Sequence, residues 1–144
     1  MNYTARPIEE TRIFVAEDEP ITTPDAIYER LKDSIDAEQE HVFLITLNTS
    51  FRVIKIHDIF KGTVNNSVMH PRDIFREAVR DNATAIMIAH NHPSGNLTPS
   101  LEDAKTTKDI YAASKILGIQ LLDHLIITKT HGYFSFAGNG LLNQ

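Results

Sequence analysis

The sequence predicts an α/β (α+β) fold in which a mixed β-sheet is sandwiched by helices. Three observations carry that expectation. Short apolar runs of strand length alternate with segments of helical periodicity along the chain. One run, "TAIMIA" at 84–89, is apolar without a break, as a strand covered on both faces requires. The 144 residues, 42% hydrophobic and 23% charged, have the length and composition of one globular domain with a genuine core.

Taken in order, "TRIFVAED" from Thr11 reads as a short first strand. Thr23-Pro24-Asp25 then supplies a cap residue, a proline at the first helical position and an acid in the first turn. The helix that follows runs to about Ser34, with Ile27, Leu31 and Ile35 along one face. Residues 1–37 are read as a strand-and-helix extension of a single domain spanning 1–144. The run 41–47 suits a buried strand, "NTSF" a turn, and 52–60 a half-buried partner strand in which Ile54 and Ile56 alternate with Lys55 and His57. His70-Pro71 opens the next helix, with His70 in the cap region and Ile74, Phe75, Ala78 and Val79 on one face before "RDN" ends it. After the strand at 84–89, a helix over about 99–117 closes at Gly118, an expected left-handed cap. Strands at 121–128 and around 133–136 finish the chain.

Bulk properties narrow the function. A net charge of −5 and an isoelectric point near 5.7 argue against a general nucleic-acid binder, which neutralises phosphates with clustered Lys and Arg. No cysteine is present, so disulfides, thiolate nucleophiles and Cys-based zinc sites are excluded, and a transition metal must sit on His and carboxylate. No apolar run approaches the roughly 18 residues of a spanning helix, and "MNYTARPIEETR" lacks the apolar core of a signal peptide. The expectation is a cytoplasmic protein that does not engage a membrane.

The stretch "AHNHPSGNLTPSLED", at the C-terminal end of the central strand, carries the chemistry, since ligand sites of open α/β sheets collect there. On an extended backbone His90 and His92 project the same way while Asn91 points elsewhere. Pro93 holds His92 out of the helical region. If Thr98-Pro99 or Ser100 starts a helix, Asp103 falls in its first turn and can return a carboxylate toward the histidines. Catalytic zinc sites use three protein ligands and a water, and His90, His92 and Asp103 form such a set. Residue by residue a plainer reading stands beside this one: a strand-end histidine, a cap at Ser100, and an acid at Asp103 favoured by the helix dipole.

His90, His92, Ser100 and Asp103 also reproduce H-x-H-x(7)-S-x(2)-D, and in this the sequence resembles the JAMM/MPN-domain metalloproteases. With "NNSVMHPRDIFREAVRDNATAIMIAHNHPSG" and "LGIQLLDHLIIT", it resembles the RadC-like branch of that superfamily from about Glu38 to the C-terminus. The resemblance implies an MPN/JAMM-like, cytidine-deaminase-like sandwich. It implies one zinc per chain on His90, His92 and Asp103, and an oxyanion stabilised by Ser100. It also implies an upstream glutamate as general acid/base, a position matched by Glu40 with Glu38 as second choice. The product would be a cleaved peptide or isopeptide bond. Longer members carry a helix-hairpin-helix segment, of which 1–37 shows no sign.

Asp123 and His124 are neighbours on a strand and face opposite ways, so they are read as structural or as supporting the metal ligands. Asn91 and Ser94 are expected to hold the loop, with Gly95 giving it freedom. His41, His57 and His131 receive no role. Three rival functions follow. A non-catalytic MPN scaffold would close the zinc with a fourth protein ligand, a DNA-repair role follows the family's label, and a different divalent ion suits the same mixed N/O ligands.

Overall fold

The computed structural model describes residues 23–36, 38–62 and 69–142, so the strand expected at 11–18 lies outside the described residues. Helix α1 (Pro24–Leu31) begins where Thr23 Oγ1 accepts the Ala26 N–H at 3.3 Å, and a 3-10 turn (Lys32–Ser34) continues it. Ile27, Leu31 and Ile35 are all buried. Strand β1 (Glu40–Leu47) pairs antiparallel with β2 (Val53–Gly62) through a turn held by Asn48, whose Oδ1 accepts the N–H groups of Ser50 and Arg52.

The alternation expected in β2 is broken. Leu47 pairs with Val53 but Thr46 pairs with Lys55, so Ile54 is the extra residue of a β-bulge and points out, 37% exposed. Beyond the bulge the phase is shifted, so that Ile56, opposite Ile45, faces the α1 side and His57, opposite Leu44, the other; both faces are covered and both residues are buried. In α2 (Pro71–Arg80) His70 is the N-cap without a side-chain cap bond. Ile74, Phe75 and Ala78 are buried as expected, whereas Val79 is 59% exposed. Val79 and Glu77 lie at opposite edges of that face. Arg76 and Arg80 fold over Glu77, at 3.2 and 3.3 Å, and bury it instead.

Strand β3 (Ala85–Asn91) is buried throughout and runs two residues further than its apolar run, because His90 and Asn91 continue it. Helix α3 (Leu101–Leu117) crosses over to β4 (Gln120–Ile127), which lies parallel to β3. A helical crossover of this kind is what parallel neighbours need. Gly118 ends α3 in the left-handed region at φ 71°. Strand β5 (Tyr133–Ser135) returns antiparallel to β4. The five-stranded sheet has the order β2-β1-β3-β4-β5. One face packs Phe43, Ile45, Met87 and Leu125 against α1; the other packs Leu44, Ile86 and Ile88 against α2 and α3. Each such fully buried side chain contributes about 1.5–3 kcal/mol relative to exposure. The sandwich is therefore the predicted mixed sheet between helices.

At the far end of β1 and β2, Asp81 Oδ2 accepts from His57 Nε2 and from Thr46 Oγ1, both at 2.7 Å. Burial pushes this carboxyl up, but the bonds from His57 and Thr46 outweigh it and hold the group below its ordinary 3.8. A depressed folded-state pKa gives stability that is present above the ordinary value and lost as pH falls through and below it. Asp81→Asn is expected to lower stability at pH 7 by about 1–3 kcal/mol in urea unfolding. The gap from wild type should close below about pH 4; a gap constant from pH 7 to pH 3 would contradict this role.

Candidate metal centre

The α3-facing side of β3 carries Ile86, Ile88 and then His90, which is buried at the strand's end. Past Asn91 the chain turns, with the Gly95 N–H donating to His92 O at 2.8 Å and Gly95 at φ 80°. Within the loop, Ser94 Oγ accepts the Asn96 N–H at 3.2 Å. Ser100 then caps α3, accepting the Asp103 N–H at 2.9 Å, while Asp103 Oδ2 accepts the Ser100 N–H at 2.9 Å. This reciprocal box turns the Asp103 side chain back toward β3. Its Oδ2 comes 3.0 Å from His92 Nε2 and its Oδ1 3.3 Å from His90 Nε2, and the two Nε2 atoms are 3.2 Å apart. Capping and convergence are thus properties of the same atoms.

Hydrogen bonding fixes which ring nitrogens carry protons. His92 Nδ1 lies 2.8 Å from the Asn96 carbonyl, an acceptor only, so Nδ1 is the donor and Nε2 of the neutral ring keeps its lone pair. Thr107 Oγ1 donates to the Asp103 carbonyl at 2.8 Å and so accepts from His124 Nδ1 at 2.5 Å. His124 Nε2 is then the acceptor for His90 Nδ1–H at 2.8 Å, which leaves the lone pair of His90 on Nε2 as well. Burial drives His124 well below the ordinary histidine range, with the neighbouring His90 adding to the effect, so it stays neutral in this chain of bonds. Its ring stacks on Phe136 with centroids 4.7 Å apart.

Three acceptors therefore meet with no proton of their own between them. Ligand atoms about 2.0–2.1 Å from a tetrahedral zinc stand about 3.3 Å apart; the two Nε2 atoms at 3.2 Å fit this, and each lies 3.0–3.3 Å from one of the two Asp103 oxygens. His90, His92 and Asp103 are the group among the described residues that could hold a metal ion. With the rings neutral the cluster is short of positive charge, and a cation or a proton would be drawn to it. The Asp103 bond raises His92, while burial pushes Asp103 up and the bonds from His90 and His92 override this to hold it well below the usual carboxylate range.

Glu40 opens β1 and is 7% exposed, although its neighbours in "DAEQE" suggest a solvated acid. By strand alternation it shares a face with Val42, whose cross-strand partner is His90. Its charge contributes to the rise at His92. Glu38 instead lies exposed in a turn, with its N–H on Asp36 Oδ1, before the strand begins. Asn91 does not hold the loop: its side chain bonds the backbone of Gln39 and His41. Asp123 faces away from the centre, accepting from Ser135 Oγ and from the N–H groups of His124 and Ala137. Its carboxyl is pushed up by burial against those donors, and it ties β4 to the turn after β5. His41 pairs with Asp58 at 2.8 Å and His57 with Asp81, both away from the cluster. Sequence reasoning missed Thr107 and the Asn96 carbonyl. The available signal for Thr107 was its place one helical turn after Asp103.

A family described as the RadC-like JAB domain matches residues 21–141 of the chain. The sequence is 47% identical to a UPF0758 protein of Clostridium tetani over 74% of this chain and 47% of that protein. It is 45% identical to a UPF0758 protein of Enterococcus faecalis over 80% of this chain and 50% of that one. A Staphylococcus aureus UPF0758 protein is 54% identical over 64% of this chain and 40% of its own length. The chain thus spans about half the length of these relatives.

If Thr107 orients His90 through His124, Thr107→Val should weaken zinc binding by about 10–100-fold in a calorimetric titration. His90→Ala and Asp103→Ala should each abolish stoichiometric binding. Unchanged affinity in Thr107→Val would remove the orienting role.

Proposed function

This chain belongs to the RadC-like JAB domain family, and we propose that it is a zinc-dependent hydrolase that cleaves peptide or isopeptide bonds of a protein substrate. The observation that supports this most is the meeting of three lone-pair acceptors, His90, His92 and Asp103, beside the buried carboxylate of Glu40. A zinc ion there would supply Lewis acidity, polarising the scissile carbonyl and acidifying water at neutral pH.

The remaining steps belong to the chain's own side chains. Glu40 takes the proton of the attacking water as the C–O bond forms and the carbonyl oxygen becomes an oxyanion. It then returns the proton to the leaving amine as the carbonyl reforms and the C–N bond breaks, so no proton is lost overall. Ser100 accepts from Asp103 N–H but keeps its own hydroxyl proton, and it is exposed to an incoming substrate. That proton is free to donate to the oxyanion as charge develops. Asp103 stays ionised throughout, and the His124 and Asn96 contacts prevent either imidazole from turning its lone pair away.

A scaffold with a structural zinc would need a fourth protein ligand. Among the described residues the cluster contains three, which favours a position left for water and substrate. The net charge of −5 speaks against a DNA-associated role.

The experiment is hydrolysis of peptide and isopeptide libraries by the zinc-loaded protein. Glu40→Gln is expected to lose about 10²–10⁴-fold in rate with zinc retained; equal hydrolysis by both proteins would remove Glu40 from the mechanism. Ser100→Ala should lose about 10²–10³-fold in kcat while costing about 1 kcal/mol of helix stability through the lost cap. A stability loss without a rate loss would leave Ser100 as a cap alone.

A further inference from the structure

We propose that Asn91, the residue between the two histidines, is a positioning residue for Glu40. The inference rests on the reading of Glu40 as the general base, but the geometry behind it is separate. The paired register of β1 and β3 ends at Val42 with His90. Two residues past Asn91 stands Pro93, which has no N–H to continue the ladder. At that point the Asn91 side chain takes the place of a backbone partner. Its Oδ1 accepts the His41 N–H at 2.7 Å and its Nδ2 donates to the Gln39 carbonyl at 2.9 Å.

These two bonds bracket Glu40. Along a strand, the backbone groups of residues 39 and 41 point to one side and those of residue 40 to the other. The amide thus holds the segment from the β3 side, while Glu40 pairs with Gly62 of β2 on the opposite side. With both edges fixed, the Glu40 side chain has to leave the sheet perpendicular to it, on the face that carries His90. Asn91 is 1% exposed, so water does not compete readily for either bond. The task is specific to a short amide. Asp accepts but cannot donate, Ser has one group for two tasks, and Gln is one methylene longer. One side chain thereby links the strand bearing His90 to the strand bearing the base, and sets the distance between them.

The test uses the full chain and needs neither metal nor substrate. In wild type the His41 amide should exchange slowly, and three-bond couplings should report a single Glu40 rotamer. In Asn91→Ala the His41 amide should exchange about tenfold faster or more, and the Glu40 couplings should become averaged, with amides in the rest of the β1–β3 ladder still protected. Asn91→Asp keeps the acceptor and loses the donor; it is the variant to read if Asn91→Ala does not fold, and it should shift the Glu40 couplings in the same direction by less. Unchanged Glu40 couplings in a folded variant would overturn the proposal, whether or not His41 exchanges faster. Failure of the general-base reading would show elsewhere, as full hydrolysis by Glu40→Gln, so the two ideas fail separately.

Discussion

Three electron-pair acceptors held within about a tetrahedron's edge of one another are electrostatically incomplete, and the structure around the end of β3 is organised to keep them so. His90 cannot rotate its lone pair away without breaking the buried bonds through His124 to Thr107. His92 is tied to the Asn96 carbonyl, and Asp103 is turned inward by its box with Ser100. Such a cluster draws a positive charge, whether a shared proton or a cation. Magnitudes decide which matters more. A cap contributes about 1 kcal/mol, whereas zinc held by protein ligands in small folded sites releases on the order of 10 kcal/mol at neutral pH. On the reading that zinc binds here, the capping box serves chiefly to aim Asp103.

The sheet order explains why these groups can meet. Strand β3 lies between β1 and β4, so His90 has a neighbour strand on each side. One brings Glu40 and the other brings His124, while α3, the crossover that a parallel β3–β4 pair demands, delivers Asp103 and Thr107 from above. Fold and chemistry share atoms here: Asp103 caps a helix and faces two imidazoles, and Asn91 completes a ladder beside the residue that would move the proton. Damage to either function is expected to appear in both.

Much of this was legible in the sequence. The Thr-Pro-Asp start of α1, the unbroken apolar run of β3 and the Gly118 stop of α3 each declare a backbone conformation through one local cause. The spacing of His90, His92 and Asp103 also anticipates their meeting, because strand alternation and a helix's first turn are local rules. What escaped depends on neighbours distant in sequence. The bulge at Ile54 arises from pairing with β1 and reverses the faces of Ile56 and His57. Glu77 is buried because two arginines fold over it. Helical spacing sets Thr107 on the same face as Asp103, but its bond to His124, like the role of Asn91, requires knowing which strands lie side by side, and no periodicity encodes that.

The central claim is that two imidazoles and one carboxylate of this chain hold a single zinc ion with a position left over. Zinc-edge X-ray absorption on the protein loaded with one equivalent tests it most directly. The account predicts a four-coordinate shell of N and O atoms at about 2.0–2.1 Å, with outer-shell scattering from two imidazoles and from one only in His92→Ala. A shell without imidazole scattering, or one unchanged in that variant, would contradict it.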